Sequence, residues 1–294
     1  MLVKSIKELY QNLPAGVYAI GAFNVHNMEF VQGVISAAEK EKAPVILMIG
    51  EPIARYAGLA MLVEICQYAA RNASIPVAIT LDHGKSLAMI YQSIELGISV
   101  MYDGSDLPLE KNIAIIKEIA AEAHKKGLVV EGELGRVGGS EDEEETVKQF
   151  LTDPKIASDF VAETGVDLLA VAIGNCHGLY RGKPQLDIGR LQAIKRNVDI
   201  PIVLHGGSNL PIDQAKLAIE NGINKFNIST DLKIAFAKRL KTELEYDPLP
   251  YHPPIILGPA RQEVEKIARN KIRLFGSSDK ALAYQVIGSE MTAG

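Results

Sequence analysis

The 294-residue chain has no tryptophan and only two cysteines, Cys66 and Cys176, and aromatic residues make up just 6% of it. Two cysteines are too few for a disulfide framework, and the charged, amphipathic start MLVKSIKELY lacks the apolar run of a signal peptide. These observations predict a reducing, cytoplasmic environment. No segment approaches the roughly 18 consecutive apolar residues that a membrane span requires, so we expect no membrane-embedded part.

An excess of positive charge is also missing. Lysine and arginine number 31 against 36 aspartates and glutamates, which leaves a net charge of −5. This balance offers no electrostatic reason to bind nucleic acid or an anionic membrane surface. With 47% apolar and 23% charged residues, the composition is that of a folded globular protein and excludes a disordered chain. An anionic substrate would have to be held by local hydrogen-bond donors.

Eight short apolar or β-branched runs alternate along the chain with longer stretches of helical period. This alternation is typical of consecutive βα units and therefore of a parallel sheet. The runs are apolar at nearly every position, as strands covered on both faces should be. The predicted strands span residues 17–23, 44–49, 76–81, 98–102, 128–134, 167–173, 201–205 and 223–228.

The number of units and the chain length predict an α/β fold, a single (β/α)₈ TIM barrel over residues 1–294, because such barrels take about 250 residues as one domain. An open doubly wound sheet is the alternative that the pattern leaves. A glycine-rich and then acidic stretch, residues 135–154, indicates a mobile loop. Predicted helices include residues 29–41, 109–127 and 211–222, and an additional C-terminal helix at 259–272.

Polar residues recur where the predicted strands end. In β/α barrels the active site is built at the carboxyl ends of the strands, and a barrel needs no polar residues there for stability. These positions are therefore candidates for chemistry. They include Asn24, Asp82, His83, Asp103, Glu131, Glu133, Asn175, His177, His205, Ser208, Asn227, Ser229 and Thr230.

Three of the six histidines, His83, His177 and His205, end strands three, six and seven, and each is followed by glycine. Three neutral imidazoles with an open fourth position make a common catalytic zinc site. The alternative is that each histidine only caps its strand, but three at one barrel mouth favour the metal. Cys176 could also bind zinc, although packing is the simpler interpretation. The other histidines are interpreted as structural: His26, His124 and His252.

The turns that follow strands seven and eight, residues 205–208 and 227–230, indicate a phosphate site. In barrels of this kind backbone N–H groups and a helix N-terminus converge on these two loops. Either turn alone is a weak signal. Together with Gly178 after strand six, they predict a phosphate at a distance from the metal on the order of the length of a three-carbon fragment.

These strand-end motifs, in this order, resemble the class II fructose-bisphosphate aldolases, most closely the branch that includes tagatose-bisphosphate aldolase. The likeness extends from GAFNVHN to KIRLFGS through LDHG, YDGS, EGELGRVGG, HGLYRGKPQLD, VLHGGS and the turn N-x-[ST]-T-D. It implies a zinc-dependent aldolase. Such an enzyme reversibly cleaves a ketose (bis)phosphate, such as fructose or tagatose 1,6-bisphosphate, to dihydroxyacetone phosphate and an aldehyde such as glyceraldehyde 3-phosphate.

The resemblance also implies roles for individual residues. Asp82 would be the acid/base for the hydroxyl beyond the scissile bond, and Glu141 the mobile-loop carboxylate that moves the proton on the nucleophilic carbon. Asp103 and Glu133 match positions that support the ligands or hold a metal in a second or alternative location. One catalytic zinc ion per subunit would be held by His83, His177 and His205.

By the same resemblance, a pocket binds the phosphate of dihydroxyacetone phosphate, and a monovalent cation, Na⁺ or K⁺, commonly binds beside it. A homodimer or homotetramer is implied as well. The residues implied in substrate binding are Asn24, Gly178, Gly206, Gly207, Ser208, Asn227, Ser229 and Thr230.

Three positions depart from the family pattern. Gly50 stands at the end of strand two, where the family has a serine that helps bind the dihydroxyacetone phosphate half. Asn209 follows HGGS where glycine is commoner, and Ser229 replaces an acidic residue or a second asparagine. These departures leave open a family member that acts on a different ketose 1-phosphate.

Three other functions compete with this interpretation. A class I aldolase would use a lysine Schiff base, commonly on strand six, but residues 167–173 contain no lysine. An inactive barrel with a binding role would not need three histidines and Asp82. A metal-dependent isomerase or hydrolase shares the metal and phosphate sites but has no use for both acid/base carboxylates.

Overall fold

Eight parallel strands close into a barrel in which strands that follow one another in the chain lie side by side. The computed structural model describes residues 1–3, 6–10, 17–139, 149–180, 182, 184–246, 248, 250–282 and 284. The closed barrel confirms the predicted TIM-barrel fold and excludes the open sheet. The barrel strands are β1 (Ile20–Asn24), β2 (Val45–Gly50), β3 (Val77–Gly84), β4 (Ser99–Tyr102), β5 (Val130–Leu134), β7 (Leu168–Val171), β9 (Ile202–Leu204) and β10 (Ile223–Ile228). Outside the barrel, β6 (Gly138–Gly139) pairs with β8 (Cys176–His177).

Helices alternate with the barrel strands and form the outer layer. None of those in the described part of the chain combines the length and the apolar content that crossing a bilayer requires. They are α1 (Ile6–Tyr10), α2 (Met28–Glu41), α3 (Glu51–Ala57), α4 (Leu59–Asn72), α5 (Leu87–Glu95), α6 (Leu109–Lys125), α7 (Ala157–Thr164), α8 (Ile188–Asn197), α9 (Ile212–Glu220), α10 (Thr230–Leu244) and α11 (Pro253–Leu274).

The strand predictions are close to the structure, and the differences occur at the ends of elements. Strand β10 has the predicted bounds, whereas β3 continues past residue 81 to Gly84 and so carries Asp82 and His83 within it. The additional C-terminal helix is present, but it begins at Pro253, because proline in the first helical turn loses no hydrogen bond. Within the predicted loop 135–154, Gly138 and Gly139 form β6 and pair with β8.

The barrel interior is apolar at its amino end. Alternate strand residues point inward, and Ile20, Ile46 and Ala78 pack there in one buried cluster with Leu9 and Tyr10 of α1, which closes that end. Ala22 and Met48, the next inward positions on β1 and β2, belong to the same apolar cluster. The polar residues Asn24 and Asp82 follow at the carboxyl ends of β1 and β3, and both are buried.

Candidate active site

The three predicted metal ligands converge at the carboxyl end of the barrel. Nε2 of His83 lies 3.1 Å from Nε2 of His177 and 2.8 Å from Nδ1 of His205. The rings stand nearly perpendicular to one another, at 75–89°. Tetrahedral zinc–nitrogen bonds of about 2.0–2.1 Å separate ligand nitrogens by roughly 3.3 Å. Three imidazole nitrogens that face one point at this spacing fit a metal ion such as zinc.

The backbone of His83 is unusual. Its φ of 47° lies in the left-handed region, which few residues other than glycine adopt and which tends to occur at functional sites. The register between β3 and β4 shifts between Leu81 and Gly84, around this residue. Nδ1 of His83 lies 2.9 Å from Asp103, so the carboxylate orients the ring and leaves Nε2 facing the other two histidines.

The charges around the histidines favour a bound cation. Burial opposes protonation of His83, but Asp82 and Asp103 outweigh it and raise the pKa of His83 well above its usual range. Burial, with the charge of His83, lowers the pKa of His177, and burial also lowers the pKa of His205. The lowered pKa values favour neutral imidazoles at His177 and His205, which can bind a metal directly. At His83 the neighbouring carboxylates favour a positive charge, and a metal ion would supply that charge in place of the proton.

A second potential metal group shares His83. The ligand atoms of His83, Asp103 and Glu133 lie within 4.8 Å of one another. Glu133 is 1% exposed, and its Oε2 has no hydrogen-bond partner while Oε1 accepts a bond from the Val137 N–H. Burial and the negative charge of Asp103 raise the pKa of Glu133 to about 8. The structure therefore brings together the pair that the sequence predicted for a second or alternative metal position.

Asp82 lies beside the histidines and is held by two amide groups. Nδ2 of Asn24 donates to Oδ2 at 2.9 Å, and Nδ2 of Asn227 donates to Oδ1 at 3.3 Å. The same Asn227 nitrogen lies 3.2 Å from Nδ1 of His205, which links the carboxylate to the metal-binding group. Asp82 is 2% exposed, and Gly50, the departure on strand two, is its direct neighbour in the sheet register.

The predicted phosphate turns meet next to the histidines. The hydroxyls of Ser229 and Thr230 are buried and have no hydrogen-bond partner, and both stand where α10 begins. The hydroxyl of Ser208 accepts bonds from the N–H groups of Ser229 and Asp231, which ties the two turns together. Free hydroxyls at a helix N-terminus can bind an anion such as phosphate.

Close contact between loops shapes this pocket. At Gly206, with a φ of 63°, a Cβ atom would overlap the carbonyl oxygen of Cys176, so only glycine fits there. The Tyr180 hydroxyl donates to the Gly206 carbonyl at 2.8 Å and accepts from the Cys176 N–H at 3.2 Å. Tyr180 thus fastens the loop that carries His177 and Gly178 to the turn after β9.

The structure accounts for one departure from the family pattern. Asn209 has a φ of 54°, in the left-handed region that glycine adopts freely and asparagine tolerates. Its N–H donates to both oxygens of Asp231, at 3.2 and 3.1 Å, and Asp231 forms an ion pair with Lys271 of α11 at 2.6 Å. The substitution therefore keeps the same turn.

Glu141 lies outside the described residues, so its predicted role stays a prediction. Two further residues belong to the site: Glu131, which the sequence indicated only as a polar residue at a strand end, and Lys225, which it did not single out. Glu131 lies 2.8 Å from Nε2 of His205 and also binds Lys225 at 2.6 Å. The sequence signal for this pair was a glutamate and a lysine within otherwise apolar strands. Such residues are rarely buried unless they are paired, so each indicated a charged partner inside the barrel.

Comparisons with known proteins agree with this geometry. The family model described as fructose-bisphosphate aldolase class-II matches residues 4–280. A fructose-bisphosphate aldolase of Geobacillus stearothermophilus is 41% identical over 285 residues, which cover 96% of this chain and 99% of that protein. One from Staphylococcus aureus strain Mu50 is 39% identical over 96% of this chain and 100% of its own length. The crystal structure of the YdjI aldolase from Escherichia coli K12 is similar with a TM-score of 0.84 and 36% identity, covering 96% of this chain and 100% of that one.

Proposed function

Because the chain belongs to the class II fructose-bisphosphate aldolase family, whose substrates are phosphorylated sugars, we propose that it is a zinc-dependent aldolase that cleaves a ketose phosphate between C3 and C4. The observation that carries this proposal is the convergence of three histidine nitrogens beside a carboxylate that two asparagine amides hold. His83, His177 and His205 would hold the metal. A zinc ion there would act as a Lewis acid toward the ketose carbonyl.

Asp82 would accept the proton of the C4 hydroxyl as the C3–C4 bond breaks. The electron pair of that bond goes to C3, and C4 becomes the carbonyl carbon of the departing aldehyde. In condensation Asp82 returns the proton. Asn24 and Asn227 would keep the carboxylate oriented in both directions of the reaction. The buried amide oxygen of Asn24, which has no partner, is available to accept a hydrogen bond from a substrate hydroxyl.

The phosphate of the dihydroxyacetone phosphate half would bind at the turns after β9 and β10. The free hydroxyls of Ser229 and Thr230 supply donors, and the N-terminus of α10 supplies favourable electrostatic potential. Gly178, Gly206, Gly207 and Ser208 would line the pocket with backbone that can approach the anion closely. A monovalent cation beside the phosphate remains a prediction, as do the cytoplasmic location, the homodimer or homotetramer and the single domain over residues 1–294.

A chelation experiment tests the proposal. We expect exhaustive chelation to abolish cleavage of ketose phosphates and added Zn²⁺ to restore it. Without the metal, the enzyme would lack the Lewis acid that polarises the ketose carbonyl. Borohydride with substrate should not inactivate the enzyme. His177→Ala should lose metal, whereas His124→Ala, a histidine on α6 paired with Asp167, should retain both metal and activity. Full activity after chelation would refute the proposal.

Product analysis would identify the substrate. The zinc-loaded enzyme is incubated with fructose, tagatose and other ketose 1-phosphates and 1,6-bisphosphates, and the released aldehyde is identified. Dihydroxyacetone phosphate should appear in every productive reaction. Its absence from all of them would contradict the proposed phosphate pocket.

A further inference from the structure

We propose that Glu131 and Lys225 are positioning residues that hold His205 with its proton on Nε2 and its Nδ1 directed at the metal. This inference rests on the proposed function, because it assigns the pair a purpose only if His205 binds a metal. Neither residue is a catalytic residue in this proposal, since both act through the histidine ring.

The contacts define one orientation of the ring. Nε2 of His205 lies 2.8 Å from Oε1 of Glu131, which can only accept, so this nitrogen must carry the proton. Nδ1 faces the opposite way, 2.8 Å from Nε2 of His83. His83 is oriented differently, since its Nδ1 faces Asp103 and its Nε2 faces the shared point. The two ligands therefore use different nitrogens, and each is set by its own carboxylate.

Lys225 holds the carboxylate in place. Its Nζ donates to Oε2 of Glu131 at 2.6 Å, so one carboxylate oxygen serves the lysine and the other serves the histidine. Glu131 is on β5 and Lys225 is on β10, which are not neighbours in the barrel. The pair thus crosses the barrel interior. With both oxygens engaged, the carboxylate cannot rotate away from His205.

The surroundings argue against a direct chemical role for this lysine. The Lys225 side chain is 0% exposed and the Glu131 side chain 4%. Tyr10 belongs to the apolar cluster that closes the amino end of the barrel. Burial raises the pKa of Tyr10, and the nearby Glu131 carboxylate raises it further, which places Glu131 close to this cluster. A ketone substrate therefore has no access to Nζ, and a Schiff base on Lys225 would first require the ion pair to separate.

Two double variants separate positioning from simple filling of the core. Glu131→Gln with Lys225→Met removes both charges but keeps an oxygen acceptor for Nε2 of His205. Glu131→Leu with Lys225→Met removes both charges and the acceptor. Neither leaves an unpaired buried charge. We expect Zn²⁺ affinity, measured by chelator competition, to be 10–100-fold lower in the leucine variant than in the glutamine variant, the usual effect of losing such a partner.

Two further readouts show whether the loss is local. The ligand-field spectrum of bound Co²⁺ should change in the leucine variant and stay near that of the unsubstituted protein in the glutamine variant. Without metal, the leucine variant should be at least as stable to thermal unfolding as the glutamine variant, because leucine packs in an apolar interior at least as well as glutamine. The order of stability would then differ from the order of Zn²⁺ affinity. Glu41→Gln, which alters a buried carboxylate far from the histidines, should leave Zn²⁺ affinity unchanged.

Nuclear magnetic resonance of the unsubstituted, zinc-loaded protein tests the tautomer without any variant, so the test stands even if the double variants fail to fold. The chain has six histidines, which keeps the imidazole nitrogen spectrum simple. His205 should show a protonated Nε2 and a metal-bound Nδ1. A metal-bound Nε2, or equal Zn²⁺ affinity and Co²⁺ spectra in the two double variants, would overturn the inference alone. Failure of the unsubstituted protein to bind Zn²⁺ would overturn the proposed function together with it.

Discussion

At the scale of single residues, the site is built from carboxylates that differ in what surrounds them. Asp82 accepts hydrogen bonds from the side-chain amides of Asn24 and Asn227. Asp103 and Glu131 instead contact His83 and His205, two of the predicted metal ligands. Burial opposes ionisation of Asp103, but hydrogen bonds from His83 and Ser105 outweigh it and hold the pKa of Asp103 well below its usual range. Proton transfer is therefore assigned to Asp82, and ring orientation to the other two.

Asp82→Ala should keep zinc and lose cleavage by a factor of about 10²–10⁴, the usual contribution of a positioned acid/base. Exchange of the C3 proton of dihydroxyacetone phosphate with deuterated water should largely survive, because Asp82 handles only the aldehyde half. Asp82→Asn is the matched control, since it keeps the shape and one of the two oxygens that accept from the amides of Asn24 and Asn227 but cannot take the proton, and it should be as slow as alanine. Loss of zinc in both variants, or loss of exchange together with cleavage, would contradict the assignment.

At the scale of elements, the carboxyl-end loops are joined to one another rather than standing alone. The short strands β6 and β8 pair, Ser208 bridges the turns after β9 and β10, and Tyr180 fastens the loop after β8 to Gly206. Lys271 of α11 forms an ion pair with Asp231 and so connects α11 to the start of α10. The proposed phosphate pocket is therefore formed by several loops together, and the loss of one of these contacts should loosen it.

Tyr180→Phe should raise the Michaelis constant for phosphorylated substrates while leaving the zinc content unchanged. The change leaves the Cys176 N–H and the Gly206 carbonyl without the partner that joins them. Because this contact is only partly buried, the cost should lie toward the lower end of the roughly 1–3 kcal/mol that unsatisfied buried groups carry. Steady-state kinetics and metal analysis check this. Tyr251→Phe, a tyrosine that is 79% exposed, is the control and should behave like the unsubstituted enzyme. A fall in zinc content with an unchanged Michaelis constant would show that Tyr180 serves the metal instead.

At the scale of the whole molecule, the C-terminal helix secures the barrel. α11 packs along α2 and α10 with Val264, Ala268 and Ile272 fully buried. At one end of this contact, Glu41 of α2 is 8% exposed and accepts bonds from Arg269 and Arg273 of α11 and from Ser278. This cluster joins α2 to α11.

Glu41→Gln should lower the thermal midpoint at neutral pH, roughly by the 2–4 °C that corresponds to one charge-assisted hydrogen bond in a chain of this size. Hydrogen bonding to Arg273 lowers the pKa of Glu41 in the folded protein. Its contribution to the free energy of unfolding is therefore present above the unfolded-state pKa of about 4.3 and is lost as the pH falls through the lower folded value.

The difference between the unsubstituted protein and Glu41→Gln should thus be largest near neutral pH and shrink below about pH 4. Urea unfolding across this range measures it. Glu95→Gln is the control, because Glu95 pairs with Lys126 while its side chain is 73% exposed, and such surface pairs contribute little. A difference that stays constant down to acid pH would mean that the carboxylate charge of Glu41 is not what stabilises the contact.

The amino-acid sequence by itself determined the succession of βα units, because that information is local, and it left an open sheet as the alternative to the closed barrel. Strands covered on both faces are apolar throughout, helices repeat every 3.6 residues, and neither pattern needs a distant partner. The bounds of β10 could be predicted for this reason. The bounds of β3 could not, since its last residues, Asp82 to Gly84, are polar and are held in the strand by pairing with β2 and β4. The strand-end positions of the three histidines and Asp82 were predictable because parallel strands all end at the same side.

Only the tertiary structure decided how these side chains face one another. Which nitrogen of each histidine points inward depends on partners far away in the chain, as with His205 and Glu131, which are 74 positions apart. Lys225 and Glu131 meet across the barrel because its closure sets strands that are 94 residues apart opposite each other. Closure fixes strand tilt and stagger for all eight strands at once. A cross-barrel contact is therefore a property of the closed sheet and has no counterpart in the pattern of any single strand.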